Sequence, residues 1–159
     1  MEYESMAKQQ TNNPANTKED WVFLAERDLT VAEYLALNMR PIPTEVVAFH
    51  CQQATEKYLK GTLVVLDVEP PYIHDLDDLC MLAEKCCPSF ASILSLCTII
   101  THFSVKPRYD RGLSLSEEDM NTVLAHTKRI REFLQKETPK LFQNDNQASI
   151  ENEEKAGND

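Results

Sequence analysis

His50, Gln53, Lys57 and Lys60 fall within the stretch AFHCQQATEKYLKG, residues 48–61. The first three stand at i, i+3 and i+7, so a helix places them on one face, with Lys60 beside them. That set offers an imidazole, an amide and two ammonium groups. Every member can donate a hydrogen bond, which suits a phosphate or the polar edge of a base. The same spacing also describes a solvated stripe, or a dimer surface whose polar groups pair across a symmetry axis. A second group of chemically able residues is HFSVKPRYD, residues 102–110. Lys106, Arg108 and Arg111 surround Tyr109 there. A guanidinium beside an aromatic ring can grip a phosphate while the ring stacks on a base. The alternative is a local Arg108–Asp110 pair with Tyr109 closing the end of the fold. In IHDLDDL, residues 73–79, His74 or Asp75 is placed to cap a following helix. The three aspartates lack the spaced oxygens and glycine of a calcium loop, so no metal is expected.

The elements that must position these residues are helices. Three glycines in 159 residues and the lack of any useful alternating pattern leave helical periodicity dominant. The first helix is expected from about Lys18 to Met39, opened by a capping box of Thr17 and Asp20. Its inward face would carry Trp21, Ala25, Leu29 (or Asp28), Ala32, Leu35 and Met39. RPIP at 40–43 ends it. The second helix, about Thr44 to Leu66, has two apolar stripes. One runs through Val47, Cys51, Ala54, Tyr58, Thr62 and Val65. The other holds Val46, Phe49, Leu59, Leu63 and Leu66. A helix apolar on two sides is central. Further helices are expected from about Asp75 to Lys85, from about Ser89 to before Pro107, and from Glu117 to Glu137, the last capped by Ser116 and Asp119. Residues 106–114 read as a polar loop. The fold class is all-α: an up-and-down helical bundle of four to five helices.

The chain divides into a flexible N-terminal segment 1–17, a bundle 18–142 and an acidic disordered tail 143–159. The tail has one large apolar residue, Ile150, too little to offset the entropy of ordering it. Net charge is −10, of which residues 143–159 contribute five acids against one lysine, or −4. Phosphate binding driven by total charge is therefore disfavoured, and a nucleic-acid role needs a local basic patch. Cys51, Cys80, Cys86, Cys87 and Cys97 show no C-x-x-C pairing, so they read as reduced thiols, which points to the cytoplasm. No leader with an apolar core and no apolar run of membrane-spanning length is expected. No Walker A, G-x-S-x-G, H-E-x-x-H or G-x-G-x-x-G motif occurs. Cys51 next to His50 is a poor nucleophile pair, because adjacent helical residues point about 100° apart.

AFHCQQATEKYLKGTLV at 48–64, HDLDDL at 74–79 and FSVKPRYD at 103–110 together resemble the HEPN domain (higher eukaryotes and prokaryotes nucleotide-binding). With its flanking helices the resemblance covers about residues 18–140. Gly61 stands where the family motif more often has alanine. The resemblance implies a helical bundle, usually a homodimer, working with nucleotides or RNA. Its partner is often a small nucleotidyltransferase in a toxin–antitoxin-like module. Many HEPN proteins are metal-independent ribonucleases that use an Arg, four to six residues, then His. No histidine follows any arginine of this chain at that distance, so the catalytic role does not carry over. The expected function is a non-catalytic nucleotide- or RNA-binding module without a cofactor. The expected contacts are His50, Gln53, Lys57, Lys60, Lys106, Arg108 and Tyr109. The rivals are a divergent ribonuclease using His50 or His102 as its acid–base group, and a structural interaction protein.

Overall fold

The computed structural model describes residues 17–109 and 115–145, with only the backbone of 106–109. The expectations of a flexible segment 1–17 and a disordered tail 143–159 fall almost wholly outside the described residues. Five α-helices and two 3₁₀ turns account for the described secondary structure. They are α1 (Lys18–Asn38), α2 (Thr44–Val65), α3 (Leu76–Cys86), α4 (Leu94–Tyr109) and α5 (Glu117–Glu137). The 3₁₀ turns are Pro88–Ile93 and Pro139–Phe142. The all-α bundle is thus observed, and α2 packs against each of the other four helices.

The helix starts follow from local chemistry. The Thr17 hydroxyl accepts from the Asp20 amide, and the Asp20 carboxylate accepts from the Thr17 amide, closing the box at α1. Asp75, not His74, caps α3 by accepting from the Asp78 amide at 3.0 Å. Ser116 caps α5 through the Asp119 amide. Pro88 opens a 3₁₀ turn before α4, where its missing donor costs nothing.

The core sits around α2. Val47, Cys51, Ala54, Tyr58, Leu59 and Leu63 are fully buried. They meet Ala25 and Ala32 of α1, Leu76 and Leu79 of α3, Ile100 of α4, and Val123, Ile130 and Leu134 of α5. Gly61 is the point of closest approach. A Cβ there would lie 2.9 Å from Leu141 Cδ1 and 3.0 Å from Trp21 Cβ. The glycine therefore lets α1 and the 139–142 turn close onto α2.

Four expectations are corrected. Met39 is 50% exposed and Val46 44% exposed. Met39 lies past the last turn of α1, and Val46 turns outward in the first turn of α2, so neither joins the core. The segment expected to be a loop from Lys106 is helical as far as Tyr109. Pro107 sits in the final turn, where α4 continues past it by less than one turn. The window Pro88–Val105 is long and apolar enough to span a membrane by length and composition. Here Phe90, Ile93, Leu96, Cys97 and Ile100 of that window pack in the bundle core instead.

Candidate functional site

α1 and α2 lie side by side, and one carboxylate, Asp28, joins them through two polar contacts. Asp28 of α1 faces His50 and Lys57 of α2. Its Oδ1 lies 2.9 Å from His50 Nδ1, and its Oδ2 accepts from the Lys57 ammonium. A carboxylate only accepts, so Nδ1 carries the imidazole proton and Nε2 is left for another partner. Side-chain exposure is 14% for Asp28, 25% for His50 and 22% for Lys57. These are largely buried polar groups held in place, with Lys57 keeping two further N–H donors. The helical spacing of His50 and Lys57 thus becomes a single site organised by a carboxylate from the neighbouring helix. Gln53 does not join it, because its amide donates to Gln52 Oε1 at 2.8 Å.

Lys60 belongs to a different cluster, which corrects its expected place beside Lys57. Its Nζ donates to Glu56 Oε1 at 2.9 Å, and the two side chains are 7% exposed. The same Oε1 lies 2.9 Å from His74 Nδ1, while Gln52 donates to Glu56 Oε2 at 3.4 Å and to the His74 carbonyl at 3.3 Å. The Lys60 ammonium lies over the Trp21 ring, 5.6 Å from its centroid. Glu56 is therefore the hub of this cluster, a residue the sequence reading did not assign. Gln52, Glu56 and Lys60 form an i, i+4, i+8 ladder on α2, and that ladder was the available signal. Its burial was not visible in the sequence. His74 of HDLDDL closes the cluster from the segment before α3, so two of the three resembling blocks meet on Glu56.

A third cluster is structural. Tyr58 is fully buried and donates to Glu26 Oε1 at 2.6 Å. Arg131 of α5 grips the same carboxylate with Nε at 2.6 Å and a terminal nitrogen at 3.2 Å. Burial, then Glu26, pushes the Tyr58 phenol up, and Glu26 raises the Arg131 guanidinium. Cys51 offers no nucleophile. Burial pushes its thiol up to about 12, far from the lowered range of reactive cysteines.

The side chains of Lys106, Arg108 and Tyr109 lie outside the described residues, as does the Arg108–Asp110 alternative. What is described is the chain beyond them. Leu115 accepts from the Thr44 hydroxyl at 2.8 Å and donates its amide to Glu45 at 3.3 Å. The chain therefore returns to the start of α2, whereas Lys60 lies sixteen residues further on, about 24 Å along the helix. His102 is exposed and packs edge-on against Phe103. Among the described residues, no group of three or more His, Cys, Asp or Glu side chains could hold a metal ion.

These features define an all-α bundle whose central helix carries two carboxylate-centred polar clusters. A model of the HEPN domain matches residues 18–137, which is all five helices. The chain belongs to the HEPN domain family, a family of nucleotide-binding and ribonuclease-type modules. No curated protein and no solved structure matches it.

Proposed function

We propose that this chain is a non-catalytic HEPN module that binds a nucleotide or RNA and acts as a homodimer. The carrying observation is the joining of His50 and Lys57 on Asp28. It concentrates fixed, partly exposed hydrogen-bond donors on the family's signature helix, in a chain whose total charge opposes phosphate binding. A fixed cluster of that kind binds phosphate with little ordering cost. The non-catalytic part rests on the missing Arg-x4–6-His spacing. It also rests on the separation of the histidines, since His50 is held by Asp28 and His74 by Glu56. Gln53, Lys106, Arg108 and Tyr109 remain proposed contacts. Lys60, buried against Glu56, is proposed only as a support.

The test is a titration of the full chain with nucleotides and a short RNA at two salt concentrations, in EDTA, with RNA integrity read from the same samples. Expected are intact RNA and salt-sensitive binding. Lys57→Ala should weaken binding about tenfold, the loss of one charge-assisted contact of ~1.5 kcal/mol. RNA cleavage would overturn the non-catalytic reading in favour of a divergent ribonuclease. Unchanged affinity in Lys57→Ala and His50→Ala would remove the site from this face. A small nucleotidyltransferase remains the partner class that the family resemblance suggests, and co-purification after co-expression tests it.

A further inference from the structure

A cavity lies at the far end of α2 from Thr44, apart from Asp28. It encloses about 340 Å³, within the ~300–1,000 Å³ range of small-molecule sites. Val64, Val68, Pro70 and Pro71 give it apolar walls, Trp21 and Tyr72 are its aromatics, and Asp67 and Glu69 bring two carboxylates. Lys60 also lines it, but Glu56 neutralises that ammonium, so the remaining charge of the lining is negative. The Trp21 indole N–H is buried without a hydrogen-bond partner, an unmet donor in the wall.

Asp67 is the unusual member. α2 ends with the Val68 amide bonded to the Leu63 carbonyl at 2.8 Å and the Asp67 amide to the Val64 carbonyl at 3.1 Å. That is a Schellman ending, whose left-handed position favours glycine. Here Asp67 occupies it, at φ 58°. Asp is among the few side chains that tolerate this region, at a cost glycine would avoid. A side chain kept at a strained position beside a cavity points to a task for that side chain.

We infer that this cavity binds the base of a guanine nucleotide, with Asp67 accepting from its N1–H and 2-amino group; this rests on the nucleotide-binding reading above. A carboxylate accepts two parallel N–H bonds from one planar edge. Guanine alone among the common bases presents two adjacent donors on its pairing edge. Adenine and cytosine place an acceptor beside their amino group, and uracil flanks one donor with two acceptors. The apolar walls and Tyr72 suit the faces of such a ring. Two charge-assisted bonds to one carboxylate favour guanine over a base that offers only one donor there.

Trp21 is the sole tryptophan of the chain, so its fluorescence reports on this cavity. The experiment titrates the full chain with GMP, IMP and AMP, following Trp21 emission and heat together. IMP lacks only the 2-amino group, and all three share the phosphate. GMP should bind at least tenfold tighter than IMP or AMP and change Trp21 emission. Asp67→Asn should abolish that preference. Asp67→Gly should abolish it too while raising Tm, which separates lost recognition from lost folding. Equal affinities for the three, an unchanged Trp21 signal, or a preference surviving in both variants would overturn the inference. If the three bind equally and only Lys57→Ala weakens them, the cavity assignment fails while the binding module stands. If neither mononucleotides nor RNA bind, both fail.

Discussion

Glu56 is 5% exposed, and its carboxylate serves Lys60, His74 and Gln52. A buried ion pair adds little net stability, but removing one partner strands the other. Glu56→Ala should therefore cost about 3 kcal/mol, because Lys60 would keep a buried charge without a counter-ion. Replacing the pair together, Glu56→Leu with Lys60→Met, should recover most of that loss. Urea denaturation of the parent and these two variants checks both expectations. A loss below about 1 kcal/mol for Glu56→Ala would mean that Lys60 escapes to solvent. His126 sets a pH dependence. Burial first, and Arg129 second, hold its imidazole below the ordinary range. The unfolded chain then binds this proton more readily than the folded one. The stability contributed is full above about pH 6.5 and is lost as pH falls through the lower folded value. Thermal denaturation between pH 7.5 and pH 5 should show a shallower decline in His126→Gln than in the parent. An unchanged slope would assign the decline to other groups.

At the scale of elements, the packing of α1 on α2 depends on Gly61. Alanine is the better helix former by about 1 kcal/mol. Its methyl would press on Trp21 Cβ and on Leu141, which is 1% exposed. Overpacking of this kind costs ~1–3 kcal/mol, so Gly61→Ala should destabilise by about 1 kcal/mol net and shift the emission of Trp21. A stabilised Gly61→Ala variant would show that Leu141 rotates away at no cost. The resemblance marks Gly61 as a departure from the family's alanine, and the sequence supplies only the propensity cost. The compensating gain is a close approach between segments far apart in the chain. The starts of three helices, in contrast, were legible, whereas α4 was expected from about Ser89 and begins at Leu94 after a 3₁₀ turn. Thr17, Asp75 and Ser116 are local signals that act within three residues, and each caps as its type requires.

For the whole molecule, the outer face of α1 bears on assembly. Phe23, Tyr34 and Leu37 are 58%, 64% and 75% exposed. With Arg27, whose guanidinium lies 5.5 Å from the Phe23 ring centroid, and with Val31 they follow one helical face, opposite the buried Ala25, Leu29 and Ala32. A row of exposed apolar side chains on a helix that already buries its other side is a candidate interaction surface. This supports the proposed homodimer. Tyr34→Glu with Leu37→Glu should leave the thermal stability of the fold within about 0.5 kcal/mol and convert a dimer to a monomer in sedimentation equilibrium. A parent chain that sediments as a monomer would remove the dimer from the proposal.

By itself the sequence determined the all-α class, the helix order, the caps and the central place of α2. Each of these follows from residue type and short-range spacing, which act through the backbone and the 3.6-residue period. It also marked the signature helix as chemically unusual. Tertiary structure decided which of its polar residues act together. Periodicity placed His50, Gln53, Lys57 and Lys60 on a shared surface, but their partners divide them. Asp28 claims His50 and Lys57, while Glu56, itself held by His74, and Trp21 claim Lys60. The reason is that the Asp28–His50, Asp28–Lys57 and Trp21–Lys60 contacts join groups 22, 29 and 39 residues apart in the chain, and no local pattern encodes that distance, whereas Glu56 and Lys60 stand one helical turn apart.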